Sequence, residues 1–210
     1  VFKFSIAWMT ATRSLAPLST KLSRATAGLN LCHENAAELF EKRPNLDFIQ
    51  IHPEHLIREE AGEYRDQLDT LRHHYKVILH GFGLSIGSSA PLDHDYLRLV
   101  RSLLTEHPEA VFSDHFSWSS LSQHHFHDLI PLIQSEETVR YMVERVDEAQ
   151  SVIGSPILLE NISSYMRYRD STMSEVDFIN QITRRSGCFV LLDVNNFWAN
   201  AMNFGDDPWS

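Results

Sequence analysis

Five short apolar runs in this 210-residue chain each end on a side chain able to ligate a metal. Residues 46–51 lead to His52, 76–79 to His80, 110–113 to the pair Asp114-His115, 156–159 to Glu160-Asn161, and 189–192 to Asp193. Imidazoles and carboxylates together suit iron, zinc or manganese, and ligand softness alone does not choose among these. A carboxylate that follows an apolar strand is costly to bury without a compensating charge, and a cation supplies one. A polynuclear metal site built from His52, His80, Asp114, Glu160 and Asp193 is therefore the expectation. Neighbouring side chains on a strand face opposite ways, so at most one of Asp114 and His115 should reach the site from the strand itself. Asp114 is the choice, with His115 supporting it or acting from the loop. Asn161, Asn195 and Asn196 offer further oxygen donors or hydrogen bonds that orient the carboxylates. The plainer alternative is that an Asp or Asn at such a position caps the next helix; five coincident strand ends weigh against it.

Amphipathic helical stretches separate these runs, for example Tyr96, Leu97, Val100, Leu103 and Leu104 at i, i+3, i+4 and i+7 spacings. A further strand is read over 27–31, and Thr172-Met173-Ser174-Glu175 reads as a Thr-x-x-Glu capping box opening the helix that Gly187 closes. Strand and helix alternate six times, the pattern of a parallel sheet, and a sheet of this kind that closes into a TIM (β/α)8-type barrel gathers its site at the C-terminal strand ends. Eight units of about 250 residues are typical, so six visible units read as a barrel whose last two strands lie beyond this chain. The organisation expected is a Ser/Thr-rich lead-in over 1–26 without clear period, then one metal-binding barrel domain over 27–210.

His80 opens the run Gly81-Phe82-Gly83-Leu84-Ser85-Ile86-Gly87, whose glycines permit a sharp turn close to a bound group. It lacks the lysine and spacing of a phosphate loop. His124-His125-Phe126-His127-Asp128 has the composition of a metal tract but falls in the long loop after the fourth strand, where a solvated loop is the first reading and substrate binding or proton relay the second. His73, His74, His94 and His107 are read as surface residues at helix faces and ends.

A formal net charge of -10 argues against a sequence-independent nucleic-acid binder, which needs many Lys and Arg contacts to phosphate. Cys32 and Cys188, far apart and beside apolar residues, read as buried reduced thiols, and no run approaches a membrane span. The expected setting is the cytoplasm, with no membrane and no nucleic-acid partner.

At these same residues the chain resembles the multinuclear non-heme iron-dependent oxidative enzymes, the MbnB-like family. The matching stretches are His52-Pro53-Glu54, His80-Gly81-Phe82-Gly83-Leu84-Ser85, Ser113-Asp114-His115-Phe116-Ser117-Trp118, His127-Asp128-Leu129-Ile130-Pro131-Leu132, Glu160-Asn161 with Met173-Ser174-Glu175, and Leu191-Leu192-Asp193-Val194-Asn195-Asn196. The resemblance implies a barrel holding two or three irons at His52, His80, Asp114, Glu160 and Asp193. It also implies O2-dependent oxidation of cysteine in a ribosomally made precursor peptide, and a small partner protein that delivers the peptide. Two positions depart from the family pattern: Phe204 stands in Asn203-Phe204-Gly205 where a histidine is usual, and His55 where asparagine is usual.

Two other classes fit parts of the pattern. A divalent-metal barrel of the isomerase or endonuclease kind also gathers His, Asp and Glu at strand ends, but Lys3, Lys21, Lys42 and Lys76 fall at no strand C-terminus, and the acidic charge opposes the nuclease branch. A metal-depleted barrel that binds a peptide without turning it over finds its support in Phe204.

Overall fold

The apolar runs are strands covered on both faces, which is why they read as continuous hydrophobic stretches rather than alternating ones. The computed structural model describes residues 4–8, 26–57, 62–121 and 124–207. Its strands are β1 (Phe4–Trp8), β2 (Thr26–Asn30), β3 (Phe48–Ile51), β4 (Lys76–His80), β5 (Val111–His115), β6 (Trp118–Leu121), β7 (His124–Ile130), β8 (Leu158–Glu160) and β9 (Phe189–Leu192). β2, β3, β4, β5, β8 and β9 pair in that order and all run parallel. β1 pairs antiparallel with both β2 and β9 and closes the barrel. The TIM-type reading with parallel β/α units holds. The segment read as a lead-in also contributes a strand, one whose short Phe-Ser-Ile-Ala-Trp run stands apart from any helical period and so carries no β/α signature.

Alternation along the strands sorts the core into two shells. Phe48, Ile78, Leu158, Phe189 and Leu191, with Val111 against them, fill the barrel interior. Ile49, Ile51, Val77, Leu79, Phe112, Ile157 and Leu159 point outward into the layer of helices. Gly28 makes the interior filling possible, because a Cβ there would lie 2.3 Å from the Phe48 carbonyl oxygen and 2.4 Å from its ring. The inner residue of each strand therefore recurs every second position, and that parity decides which strand-end residue faces the mouth.

The helices are α1 (His33–Lys42), α2 (Pro53–Ile57), α3 (Gly62–Leu71), α4 (His94–Glu106), α5 (Glu136–Ile153), α6 (Glu175–Ser186) and α7 (Val194–Phe204). Their starts are chemically marked. Asp93 accepts from the amides of Asp95 and Tyr96 to open α4, and Ser135 accepts from Thr138 to open α5. α6 opens one residue pair later than the expected box: Ser174 is its N-cap and Asp177, rather than Glu175, is the partner that it caps. Gly154 and Gly187, at φ 86° and 73°, end α5 and α6 in the left-handed conformation that glycine adopts without strain. Val139, Met142, Val146, Ala149 and Ile153 form the buried stripe of α5.

Three expectations are corrected by burial and pairing. The His-rich stretch is strand β7, paired antiparallel with β6 as a hairpin that projects after β5, and not an irregular loop. His107 is buried at the C-cap of α4 and not at the surface. Cys188 is buried, which pushes its thiol up to about 12, whereas Cys32 is half-buried; neither is in a disulfide. Among the described residues no helix is long and apolar enough to cross a membrane.

Candidate metal centre

Three side chains meet at the C-terminal mouth. His80 ends β4, His115 ends β5 and Glu160 ends β8, and one donor atom from each lies within 4.8 Å of the others. His80 Nε2 stands 3.1 Å from Glu160 Oε2, and His115 Nε2 stands 3.9 Å from the same oxygen. All three share the inner parity: His80 follows Ile78, His115 follows Ser113 and Val111, and Glu160 follows Leu158. Alternation at Asp114-His115 holds, as expected, but with the opposite choice. His115 faces the mouth, and Asp114 is buried behind it, accepting from the Leu84 amide through Oδ2 and standing 3.5 Å from His115 Nδ1 through Oδ1.

His52, immediately after β3, extends the row of imidazoles. Its ring centroid lies 5.9 Å from that of His80, and the His80 and His115 rings are 4.7 Å apart. His52 Nδ1 is 2.7 Å from the His80 carbonyl oxygen. A carbonyl can only accept, so Nδ1 donates there, which leaves Nε2 as the ring nitrogen that could ligate a metal. His80 is oriented in the same manner, with Nδ1 2.8 Å from the buried Ser113 hydroxyl and Nε2 turned to Glu160.

The remaining expected residues hold the frame. Asp193 is 1% exposed, and its Oδ1 accepts from the amides of Asn195 and Asn196, so it is the N-cap of α7. Asn161 clasps the ends of β8 and β9: its Oδ1 accepts from the Asp193 amide at 2.8 Å and its Nδ2 donates to the Asp193 carbonyl at 2.9 Å. Asn196 Nδ2 donates to the Asn161 carbonyl, while Asn195 is exposed and meets Asp193 through its backbone amide.

Two residues outside the expected set belong to the rim. Asn30 ends β2, places Nδ2 3.3 Å from His52 Nε2, and has a buried Oδ1 without a hydrogen bond among the described residues. Reading that strand as ending on Leu31 concealed it. Glu54 Oε1 accepts from the Phe82 and Gly83 amides and from the Tyr96 hydroxyl. Burial first, then the Asp114 and Glu54 charges, holds the Tyr96 phenol well above its ordinary range, so it stays a donor. The donor set, two buried imidazoles and a buried carboxylate with a third imidazole and an idle amide oxygen beside them, fits a divalent first-row metal of intermediate softness.

Phe204, the departure from the family pattern, lies in the last turn of α7. Its ring is 4.0 Å from the Arg167 guanidinium carbon, and it lines a cavity of about 430 Å³ that includes Phe116, Ile162, Glu175 and Asn200 but none of the imidazoles. α7 has 11 residues, which at about 1.5 Å of rise each carries Phe204 roughly 16 Å along the axis from the strand end. Phe204 thus packs against Arg167 in a cavity that no imidazole lines among the described residues.

A family model described as RiPP precursor modification enzyme MbnB/TglH/ChrH matches residues 26–210. The chain belongs to this family. Curated relatives of this MbnB/TglH/ChrH member are UPF0276 proteins. That of Psychromonas ingrahamii is 36% identical over 183 residues, covering 87% of this chain and 64% of the relative. That of Anaeromyxobacter sp. is 38% identical with the same coverages, and that of Vibrio vulnificus is 37% identical over 180 residues, covering 86% and 61%. The chain spans under two thirds of the length of these curated relatives. Among solved structures, D-allulose 3-epimerase from Methylomonas sp. aligns with a TM-score of 0.48 at 16% identity, over 79% of this chain and 57% of that one.

Proposed function

We propose that this MbnB/TglH/ChrH member is the metal-holding portion of a cytoplasmic, iron-dependent oxidase that modifies cysteine residues of a ribosomally made precursor peptide, brought to it by a small partner protein. The observation that carries the reading is the meeting of His80, His115 and Glu160 at the barrel mouth in a chain of this family. His52, His80, His115 and Glu160 would hold the iron, with Asp114 and Asp193 as candidate carboxylates for a second ion. Iron bound there supplies one-electron chemistry with O2 and a Lewis-acid site for a thiolate sulfur.

The chain's own residues do the rest. Ser113 and the His80 carbonyl fix the two imidazole orientations. Phe48, Phe189 and Leu191 fill the interior beneath the mouth and keep water from reaching the site from below. Phe82, 46% exposed with its ring 5.4 Å from that of His52, gives the rim an apolar surface for a peptide. The isomerase reading lacks a lysine at the mouth among the described residues: Lys76 opens β4 at the opposite end of the barrel, and Lys42 ends α1.

The test is metal analysis and an electronic spectrum of protein purified without O2, followed by O2 uptake with a cysteine-containing precursor peptide. Iron in the protein and peptide-dependent O2 consumption are expected. Stoichiometric zinc without iron, or aldose turnover without O2, would sink the oxidase reading.

A further inference from the structure

We propose that Glu54 is a positioning residue that sets the spacing of His52 and His80. The proposal rests on the metal reading of the mouth and assigns a role within it to a side chain that, among the described residues, hydrogen-bonds to the turn after His80 and to Tyr96 rather than to either imidazole.

Glu54 lies in the first turn of α2, two residues beyond His52. Its Oε1 accepts from the amides of Phe82 and Gly83, both at 3.1 Å. Those amides belong to the turn that begins directly after His80. One carboxylate oxygen therefore ties the C-terminal end of β3 to that of β4, beyond their last ladder pair Ile51 and Leu79. A second tie lies just below it, where His52 Nδ1 donates to the His80 carbonyl at 2.7 Å. The two ties and the intervening backbone form a closed ring: His52 through Pro53 to Glu54, across to Gly83 and Phe82, back through Gly81 to His80, and across to His52. Neither histidine can slide along its strand without breaking a bond of that ring.

The ring is anchored on its outer side. Tyr96, from α4, donates to the same Glu54 oxygen at 2.7 Å, and Asp114 accepts from the next amide, Leu84, at 3.0 Å. Three consecutive amides, Phe82 to Leu84, are thus held by two carboxylates from two different strand ends. The glycines give the room: a Cβ at Gly81 would stand 2.5 Å from the Tyr96 hydroxyl, and one at Gly83 3.1 Å from Glu54 Oε1. Only one oxygen of Glu54 is used, because Oε2 is buried without a hydrogen bond among the described residues. An amide oxygen at the same place can therefore do the work, which makes glutamine the conservative variant.

The experiment titrates Co(II) without O2 into the metal-free full chain and into Glu54→Ala, Glu54→Asp and Glu54→Gln, reading affinity and the visible bands. Outer residues that orient ligands are worth about 10- to 100-fold in metal affinity. Glu54→Ala should weaken Co(II) by that much and shift its bands in protein that circular dichroism shows folded. Glu54→Asp, whose shorter side chain cannot span to both amides, should do the same and stands in if the alanine variant fails to fold. Glu54→Gln should restore both affinity and bands. A residue with a merely structural role would lower the melting temperature and leave the bands of the folded protein unmoved. Unchanged affinity and bands in Glu54→Ala or Glu54→Asp, with Co(II) bound by the parent, would overturn the role of Glu54 alone. Absence of Co(II) and Fe(II) binding by the parent would overturn the metal reading and this role together.

Discussion

His80 and Glu160 meet at 3.1 Å across the barrel mouth although β5 lies between their strands. The contact spans a strand because both residues, with His115 from the intervening strand, project from inner-face positions. Placing a carboxylate there in the absence of a cation leaves a buried negative charge beside two imidazoles. Glu160→Gln keeps the shape and removes the charge, so metal affinity should fall by at least about tenfold while the metal-free protein keeps or gains stability. Metal content after dialysis and thermal melts of both forms check this; full metal retention by the variant would mean that Glu160 is no ligand.

Asp193 has a cost of its own. Its Oδ1 caps α7, and removing such a cap typically costs about 1 kcal/mol. Asp193→Ala should lower the denaturation midpoint accordingly, and Asp193→Asn, which still offers an oxygen to the Asn195 and Asn196 amides, should recover it. Equal midpoints for the alanine variant and the parent would show that the cap contributes nothing.

Much of this architecture is legible in the chain itself. The apolar runs end where the strands end, and the i, i+3, i+4 spacing of α4 is the stripe that is buried. Which residue of Asp114-His115 faces inward was not legible from the pair alone, since both are metal-ligating types. It follows from counting back by twos to Val111, whose inward direction becomes known only once Phe48, Ile78, Leu158 and Phe189 are seen to share the interior. The clasp of Asn161 on Asp193 and the reach of Glu54 to Phe82 and Gly83 join residues 32, 28 and 29 positions apart. No local pattern encodes those distances. The helix start at Ser174 was misplaced because Thr172 and Ser174 are equally good cap residues, and only backbone geometry separates them.

Glu175 makes a pH-dependent prediction. Burial in the cavity beside α7 raises its carboxyl above the ordinary range, with the Asn200 amide and Arg167 opposing the shift. A group raised in the folded state favours folding while protonated, and that contribution is lost as pH rises through the folded value. Glu175→Gln should therefore melt higher than the parent at neutral pH, and the difference should vanish below about pH 4.3, where the unfolded carboxyl is protonated too. Parallel melting curves against pH for the two proteins would contradict it.

Phe204→His tests the packing role of Phe204. Its ring rests against Arg167, a contact worth about 0.5–1 kcal/mol at an exposed site. The substitution should cost no more than about that much stability and leave metal stoichiometry unchanged. A gain of bound metal would show that the end of α7 reaches the mouth after all.

The interior filling around Phe48, made possible by Gly28, turns the barrel into a cul-de-sac. Whatever enters must leave by the same rim, so arrival and departure compete for one doorway. Nothing can be threaded through; a ligand reaches the three donor side chains from the rim side alone. The shape of the floor thus sets a rule for substrates that no side chain at the mouth imposes.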